Sequence, residues 1–148
     1  CRIKGIFRTK GITTTNPIAV GDHVDFDMEP ELGTGVITEL QPRKNYIIRK
    51  SINLSKQAQV IAANLDQAFL VVTLASPRTS LGFIDRFLVT AEAYDIPASL
   101  VFNKLDLFSD EGLEILAGYK AIYEKIGYPC YEVSALEGTG VEQVAKLL

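Results

Sequence analysis

The sequence predicts a protein of two parts: a small β-barrel or sandwich, then a parallel α/β sheet with flanking helices. Residues 1–58 contain short alternating runs separated by Gly and Pro, whereas residues 59–148 alternate apolar runs with helical stripes. The formal charge also changes, from +3 over residues 1–58 to −6 over residues 59–148. We therefore expect two domains, 1–58 and 59–148, with different partners.

The first part reads as strands joined by turns. Its alternating runs are Arg2–Arg8, Ala19–Phe26, Val36–Leu40 and Tyr46–Arg49. Such spacing without a helical stripe favours an OB-fold-like barrel, which has five strands. The chain opens on Cys1 inside the first run, so we expect a fragment that lacks its N-terminal strand. Residues 41–65 contain no acidic side chain, and we interpret them as the connector.

The second part reads as three strand–helix units. The predicted elements are a strand at 68–74, a helix at 81–94, a strand at 98–102, a helix at 110–126, a strand at 129–133 and a helix from about residue 139. The stripe predicted to face the sheet from the second helix is Leu113, Leu116, Tyr119, Ile122, Tyr123 and Ile126. Parallel sheets of this kind bind ligands at the carboxyl ends of their strands.

Composition argues against several other classes of protein. The chain is 47% hydrophobic and 22% charged, which is ordinary for a globular protein, and no apolar run reaches the length of a membrane span. Cys1 and Cys130 form no C-x-x-C pair, and His23 is the one histidine. We expect no metal site in this chain, no disulfide framework and a cytoplasmic location.

Two short motifs follow two of the predicted strands at the ligand-binding edge. Asn103-Lys104-Leu105-Asp106 follows the strand at 98–102, and Ser134-Ala135 follows the strand at 129–133. Proteins that recognise guanine carry NKxD and SA in these positions. The Asp106 carboxylate can accept from N1 and the C2 amino group of guanine, a pattern that adenine lacks. Asn103 can reach the C6/N7 edge, Lys104 can cover one face of the base, and the N–H groups of Ser134 and Ala135 can approach the C6 oxygen.

Two features of the sequence limit this interpretation. Asn and Asp also favour helix N-caps and surface turns, so NKxD alone can be purely structural. Moreover, no G-x-x-x-x-G-K-[ST] phosphate-binding loop occurs among the 148 residues. Either the fold is degenerate, or the motif order is permuted and the loop lies beyond Leu148.

Longer stretches resemble the ribosome small subunit-dependent GTPase A family (RsgA, also YjeQ), whose GTPase domain is circularly permuted. The similarity runs nearly end to end. The stretches that carry it are Cys1–Arg8, Val20–Val24, Pro42–Tyr46, Ile61–Gln67, Ile84–Leu88, Asn103–Leu107 and Val133–Ala135. The resemblance implies an N-terminal OB-fold, a GTPase domain that uses GTP/GDP with Mg²⁺, and a zinc-binding domain whose ligands lie outside this chain. It implies action late in the maturation of the small (30S) ribosomal subunit.

Partners follow from the same resemblance and from the basic residues. We expect binding to the small ribosomal subunit and its RNA, no membrane, and a monomer. Basic grooves with stacking aromatics bind single-stranded nucleic acid on OB-folds. The candidate RNA-binding residues are Arg43, Lys44, Tyr46, Arg49 and Lys50, although this stretch can also be a solvated connector. We expect the parent protein to hydrolyse GTP and this fragment not to do so. The alternative is a non-enzymatic RNA- or ribosome-binding adaptor with a vestigial GTPase fold.

Overall fold

A computed structural model of the chain contains two compact units, Cys1–Asp66 and Gln67–Leu148. It describes residues 1–3, 16–50 and 58–148, with the backbone alone at 49, 50 and 58. No helix in these described ranges is long and apolar enough to cross a membrane.

The first unit is built from β-strands in its described ranges. Strands β1 (Arg2–Ile3), β2 (Val24–Glu29) and β3 (Thr34–Leu40) form a sheet in the order β1-β3-β2, with β2 and β3 antiparallel. Strands β4 (Tyr46–Lys50) and β5 (Ala58–Ala63) form an antiparallel pair. Most of the run predicted at Arg2–Arg8 lies outside the described residues. The OB-fold-like barrel therefore stays a prediction.

Strand β5 crosses the position at which the sequence suggested a domain boundary. Residues 58–63 pair with β4, and Ala63 donates its N–H to the Val20 carbonyl at 2.9 Å. This part of the stretch interpreted as a connector is thus sheet in the first unit. The reason is that Val60 and Ala63 are 2% and 1% exposed, and burial of such side chains favours a packed strand over a solvated linker.

A buried ion pair fixes the turn that precedes β2. Arg43 donates from Nε to Asp22 Oδ1 at 2.6 Å and from Nη2 to Oδ2 at 2.7 Å, and the Ala19 N–H donates to Oδ2 at 2.8 Å. The side chain of Asp22 is 1% exposed and that of Arg43 is 17% exposed. The pair is bidentate and charge-assisted, and loss of one partner would leave a buried charge unpaired.

Two asparagines hold the end of β5 against the turn that leads into β4. Asn45 is 4% exposed and exchanges two hydrogen bonds with the backbone of Leu65, at 2.7 and 2.8 Å. Asn64 accepts from the Lys44 N–H and donates to the Gly21 carbonyl, both at 2.8 Å. Asn64 has φ +53°, a left-handed conformation that Asn tolerates better than most residues. Each position needs both a side-chain acceptor and a side-chain donor, which explains why Asn occupies positions 45 and 64.

The second unit is a three-stranded parallel sheet with helices. Its strands are β6 (Ala68–Val72), β7 (Ala98–Phe102) and β8 (Cys130–Glu132), in the order β6-β7-β8. Its helices are α1 (Leu81–Ala93), α2 (Asp110–Lys125) and α3 (Val141–Ala145), with a 3-10 turn at Leu105–Leu107. The predicted parallel α/β arrangement is confirmed. Leu100 and Phe102, on the central strand, are fully buried.

Serine hydroxyls cap the N-termini of both long helices, and a tyrosine hydroxyl forms a hydrogen bond between the two helices. Ser80 caps α1 and Ser109 caps α2 by accepting the N–H three residues ahead. The Tyr123 hydroxyl, on a side chain that is 3% exposed, donates to Asp85 Oδ1 at 2.9 Å. The side chain of Asp85, on α1, is thus hydrogen-bonded to the neighbouring helix α2.

The face that α2 buries is narrower than the predicted stripe. Leu116 and Tyr123 are buried as expected. Leu113, Ile122 and Ile126 are instead 45%, 57% and 61% exposed. The physical reason is that one packing surface buries a stripe about 100° wide on a straight helix. These residues lie to either side of the line through Leu116 and Tyr123, outside that stripe.

We predict that Arg43→Met destabilises the first unit by about 3 kcal/mol, because it leaves the Asp22 carboxylate buried without its cation. Lys44→Met is the matched control. Lys44 pairs with Asp66 at 3.2 Å, but their side chains are 64% and 93% exposed. Its loss should change the unfolding free energy by ~0.5 kcal/mol or less. Urea unfolding measures both, and equal effects would contradict the structural role of Arg43.

We also predict an acid-sensitive contribution from Asp22. Burial alone would raise the pKa of this carboxyl, but hydrogen bonds from Arg43 and Ala19 and the charge of Arg43 hold the pKa below its ordinary value. The stabilisation is therefore complete above the unfolded-state pKa and is lost as pH falls through the lower folded-state pKa. Asp22→Asn should flatten the fall in the free energy of unfolding that occurs as the pH drops below the unfolded-state pKa of Asp22. Asp66→Asn, at an exposed position, should not.

Candidate guanine-recognition site

The carboxyl ends of β7 and β8 bring the two predicted motifs together. The Val133 N–H donates to the Phe102 carbonyl at 2.8 Å, and the Leu105 N–H donates to the Val133 carbonyl at 3.3 Å. Asn103 is tied to the other neighbour of β7, because its N–H donates to the Val72 carbonyl at 2.8 Å. The 103–106 turn is therefore joined to both neighbouring strand ends.

A hydrogen bond between the motifs fixes the carboxylate of Asp106. The Ser134 hydroxyl donates to Asp106 Oδ1 at 2.5 Å and accepts from the Glu137 N–H at 3.2 Å. Ser134 is fully buried, whereas Asp106 is partly exposed. A carboxylate has about four acceptor positions, so Asp106 can still accept two donors from a ligand. Ser134 thus positions Asp106 without occupying it.

Asn103 makes the second connection between the motifs. Its Oδ1 accepts from the Lys104 N–H at 2.7 Å and from the Ala135 N–H at 3.1 Å. The described residues provide no hydrogen bond to its Nδ2, which remains able to donate to a ligand. The amide oxygen therefore orders the turn, and the amide nitrogen is the atom that can reach a bound base.

The backbone of Ser134 differs from the sequence-based expectation. Its N–H donates to the Thr139 carbonyl at 2.9 Å, and its own carbonyl accepts from Gly138 at 2.8 Å. The hairpin formed by the 134–140 loop thus uses the N–H that was expected to approach a ligand oxygen. The Ala135 N–H, on an exposed residue with a longer hydrogen bond, is the better candidate.

Two glycines close the 134–140 loop, and one of them has no substitute. Gly140 has φ +72°, and a Cβ atom there would lie 2.1 Å from the Glu132 carbonyl oxygen. Only glycine allows this approach. Gly140 also lies at the N-cap of α3. No sequence pattern indicated that the 134–140 loop holds the backbone of Ser134.

Lys104 has an unusual conformation at the centre of the turn. Its φ and ψ are +70° and +41°, in the left-handed region, and its carbonyl accepts from the Leu107 N–H at 3.0 Å. Its Nζ donates to the carbonyl oxygen of Ser76, in the segment that follows β6. Sequence reasoning missed Ser76, because a contact made by a backbone oxygen has no signal in side-chain identity.

The candidate RNA-binding residues of the first unit do not act as one group. Arg43 is engaged by Asp22, a geometry that favours a structural role over a phosphate contact. Lys44 is exposed, and Tyr46 begins β4. Arg49 and Lys50 lie in β4, and their side chains are outside the described structure. No group of three His, Cys, Asp or Glu side chains able to hold a metal occurs within the described ranges.

Comparison with known proteins gives consistent matches. The family model described as RsgA GTPase matches residues 40–148. The chain is 56% identical over 146 residues to the small ribosomal subunit biogenesis GTPase RsgA 2 of Bacteroides thetaiotaomicron, covering 99% of this chain and 47% of that protein. It is 53% identical over 148 residues to the corresponding RsgA of Bacteroides fragilis, covering 100% and 47%. The chain thus spans about half the length of the curated relatives it matches.

Solved structures agree with the sequence matches. The fold is similar to the crystal structure of YjeQ from Thermotoga maritima, with a TM-score of 0.74 and 34% identity over 100% of this chain and 48% of that one. It is also similar to YloQ, described as a circularly permuted GTPase, with a TM-score of 0.64 and 33% identity over 99% and 45%. The chain belongs to the RsgA GTPase family.

Proposed function

We propose that the whole protein is a GTPase acting in late maturation of the small ribosomal subunit, and that the 103–106 turn and Ser134-Ala135 form its guanine site. The observation that carries the proposal is the Ser134–Asp106 hydrogen bond, which fixes a partly exposed carboxylate at the edge where parallel sheets bind ligands. The names of the relatives, small ribosomal subunit biogenesis GTPases, support the cellular role.

The site matches guanine by its hydrogen-bonding groups. Asp106 accepts from the N1 and C2 donors of the base, and Asn103 Nδ2 and the Ala135 N–H serve its oxygen edge. Adenine offers no donors to the acceptor positions that Ser134 leaves open on the carboxylate, and polar groups left unmatched by a bound ligand can reject it by about 10⁴-fold. The carboxylate cannot turn away to avoid this cost, because Ser134 holds it.

The phosphate end of the nucleotide requires residues outside positions 1–148. No G-x-x-x-x-G-K-[ST] occurs among them. In phosphoryl transfer, Mg²⁺ and a phosphate-binding loop position and neutralise the transferred group. This chain therefore supplies base recognition, and the chemistry belongs to the remainder of the protein.

We propose that the first unit, as an OB-fold-like module, contacts ribosomal RNA. Residues 41–65 carry five basic and no acidic side chains, which suits a phosphate backbone. Since Arg43 is committed to Asp22, the contact is assigned to Lys44, Tyr46, Arg49 and Lys50. Lys44 is the best supported of these, because its side chain is 64% exposed and its partner Asp66 is more exposed still.

Exchange of Asp106 tests the guanine site in the whole protein. Asp106→Asn should reverse the preference from GTP to XTP, because xanthine carries an oxygen at C2 to which the Asn amide can donate. We expect the affinity ratio of GTP to XTP to fall by about 10⁴-fold. Equilibrium binding of both nucleotides measures the ratio.

Asp95→Asn is the matched control for this exchange. Asp95 is exposed, lies outside the site and has φ +53°, a conformation that Asn adopts readily. Its substitution should leave the ratio unchanged. An unaltered GTP/XTP ratio in Asp106→Asn would contradict the proposed site.

A second candidate, a ribosome-binding adaptor with a vestigial GTPase fold, is favoured by one observation: the absence of a Walker sequence from these 148 residues. The complete coding sequence separates the two. We predict that it contains G-x-x-x-x-G-K-[ST] after Leu148, since a permuted order places phosphate binding after base recognition. A complete protein without this motif, and without GTP hydrolysis, would be the adaptor.

A further inference from the structure

The segment that follows β6 forms a closed loop beside the guanine site. The Thr79 N–H donates to the Thr73 carbonyl at 2.8 Å, and the Thr73 N–H donates to Thr79 Oγ1 at 3.1 Å. The Thr73 hydroxyl donates to the Pro77 carbonyl within the same loop. Residues 73–79, here called the 73–79 loop, are therefore fastened at their base by two threonines.

The 73–79 loop presents one backbone oxygen to the site. Ser76 is exposed, and its φ of +49° is uncommon for a residue other than glycine. The Ser76 carbonyl accepts a hydrogen bond from Nζ of Lys104. The end of the Lys104 side chain is thus held by the loop that follows β6, whereas Lys104 itself follows β7.

Lys104 is fixed at its backbone as well. Its N–H donates to Asn103 Oδ1, and its carbonyl accepts from Leu107. With both ends held, the four methylene groups span the distance between the 103–106 turn and the 73–79 loop. A free lysine side chain loses considerable rotamer entropy when a ligand orders it, and prior anchoring removes most of that loss.

We propose that the 73–79 loop is a positioning element for purine binding, which acts by holding Lys104 extended through the Ser76 carbonyl. The proposal rests on the guanine site proposed above. It assigns a separate role to each side of that site: Asp106 selects the base, whereas the loop and Lys104 strengthen binding of any purine whose face Lys104 covers. The loop acts through Lys104 and needs no contact with the nucleotide.

The test uses the whole protein and equilibrium binding of GDP. Thr79→Val removes the hydroxyl that accepts from Thr73 and keeps the side-chain shape. We expect GDP to bind about threefold to tenfold more weakly, the range for ordering one flexible side chain, mainly through faster dissociation. Thr79→Ser, which keeps the hydroxyl, should restore the affinity. Base selectivity should not change in either variant.

A double-mutant cycle separates positioning from a general structural effect. Lys104→Met keeps an apolar stem but removes the ammonium group that donates a hydrogen bond to the Ser76 carbonyl. If the loop acts through Lys104, Thr79→Val should have no further effect on GDP affinity in the Lys104→Met background. Thr90→Val is the control, since Thr90 donates its hydroxyl to the Arg86 carbonyl at 2.7 Å on α1, and its loss should leave GDP binding unchanged.

Each outcome has a definite meaning. Equal GDP affinity in Thr79→Val and the unmodified protein, or an undiminished Thr79→Val effect without the Lys104 ammonium group, would overturn the positioning role. If Thr79→Val does not fold, as shown by its thermal unfolding, Thr79→Ser and Lys104→Met decide: full affinity in Lys104→Met would overturn the role. Failure of the guanine site itself would show differently, as unmodified protein that does not prefer GDP to XDP.

Discussion

The hydrogen bond between the Ser134 hydroxyl and the Asp106 carboxylate is the interaction on which the site depends. It joins residues 28 positions apart, at the ends of two adjacent parallel strands. Since Ser134 is fully buried and its backbone is held within the 134–140 loop, its hydroxyl has a fixed position. The carboxylate is therefore oriented by the protein itself, and preorganisation of this kind lowers the entropy that a site loses when it binds a ligand.

The same principle operates throughout the turn. Asn103 uses its side-chain oxygen to hold two backbone N–H groups, one from each motif. Lys104 takes a left-handed backbone conformation and is anchored at Nζ. Polar groups that are satisfied within the protein rigidify a site, provided that enough hydrogen-bonding capacity remains for the ligand. Here that capacity lies with the Asp106 carboxylate and with Asn103 Nδ2.

The first unit uses charge differently. One ion pair, Asp22 with Arg43, is buried and serves the turn before β2, whereas Lys44 beside it is exposed. Two adjacent basic residues thus have different surroundings: Arg43 is paired with a buried carboxylate, whereas the side chain of Lys44 is exposed. A basic side chain identified from sequence as a nucleic-acid ligand is informative only when its surroundings leave the charge free.

The sequence by itself determined the parallel order of the second unit and the pairing of NKxD with SA, because apolar runs and helical stripes fix strand and helix order locally. It could not determine that Arg43 is neutralised by a buried partner, that Ser134 spends its N–H on Thr139, or that Ser76 holds Lys104. It also overestimated the buried face of α2. These features depend on contacts between residues distant in the chain, often through backbone atoms, and only the tertiary structure brings such atoms together.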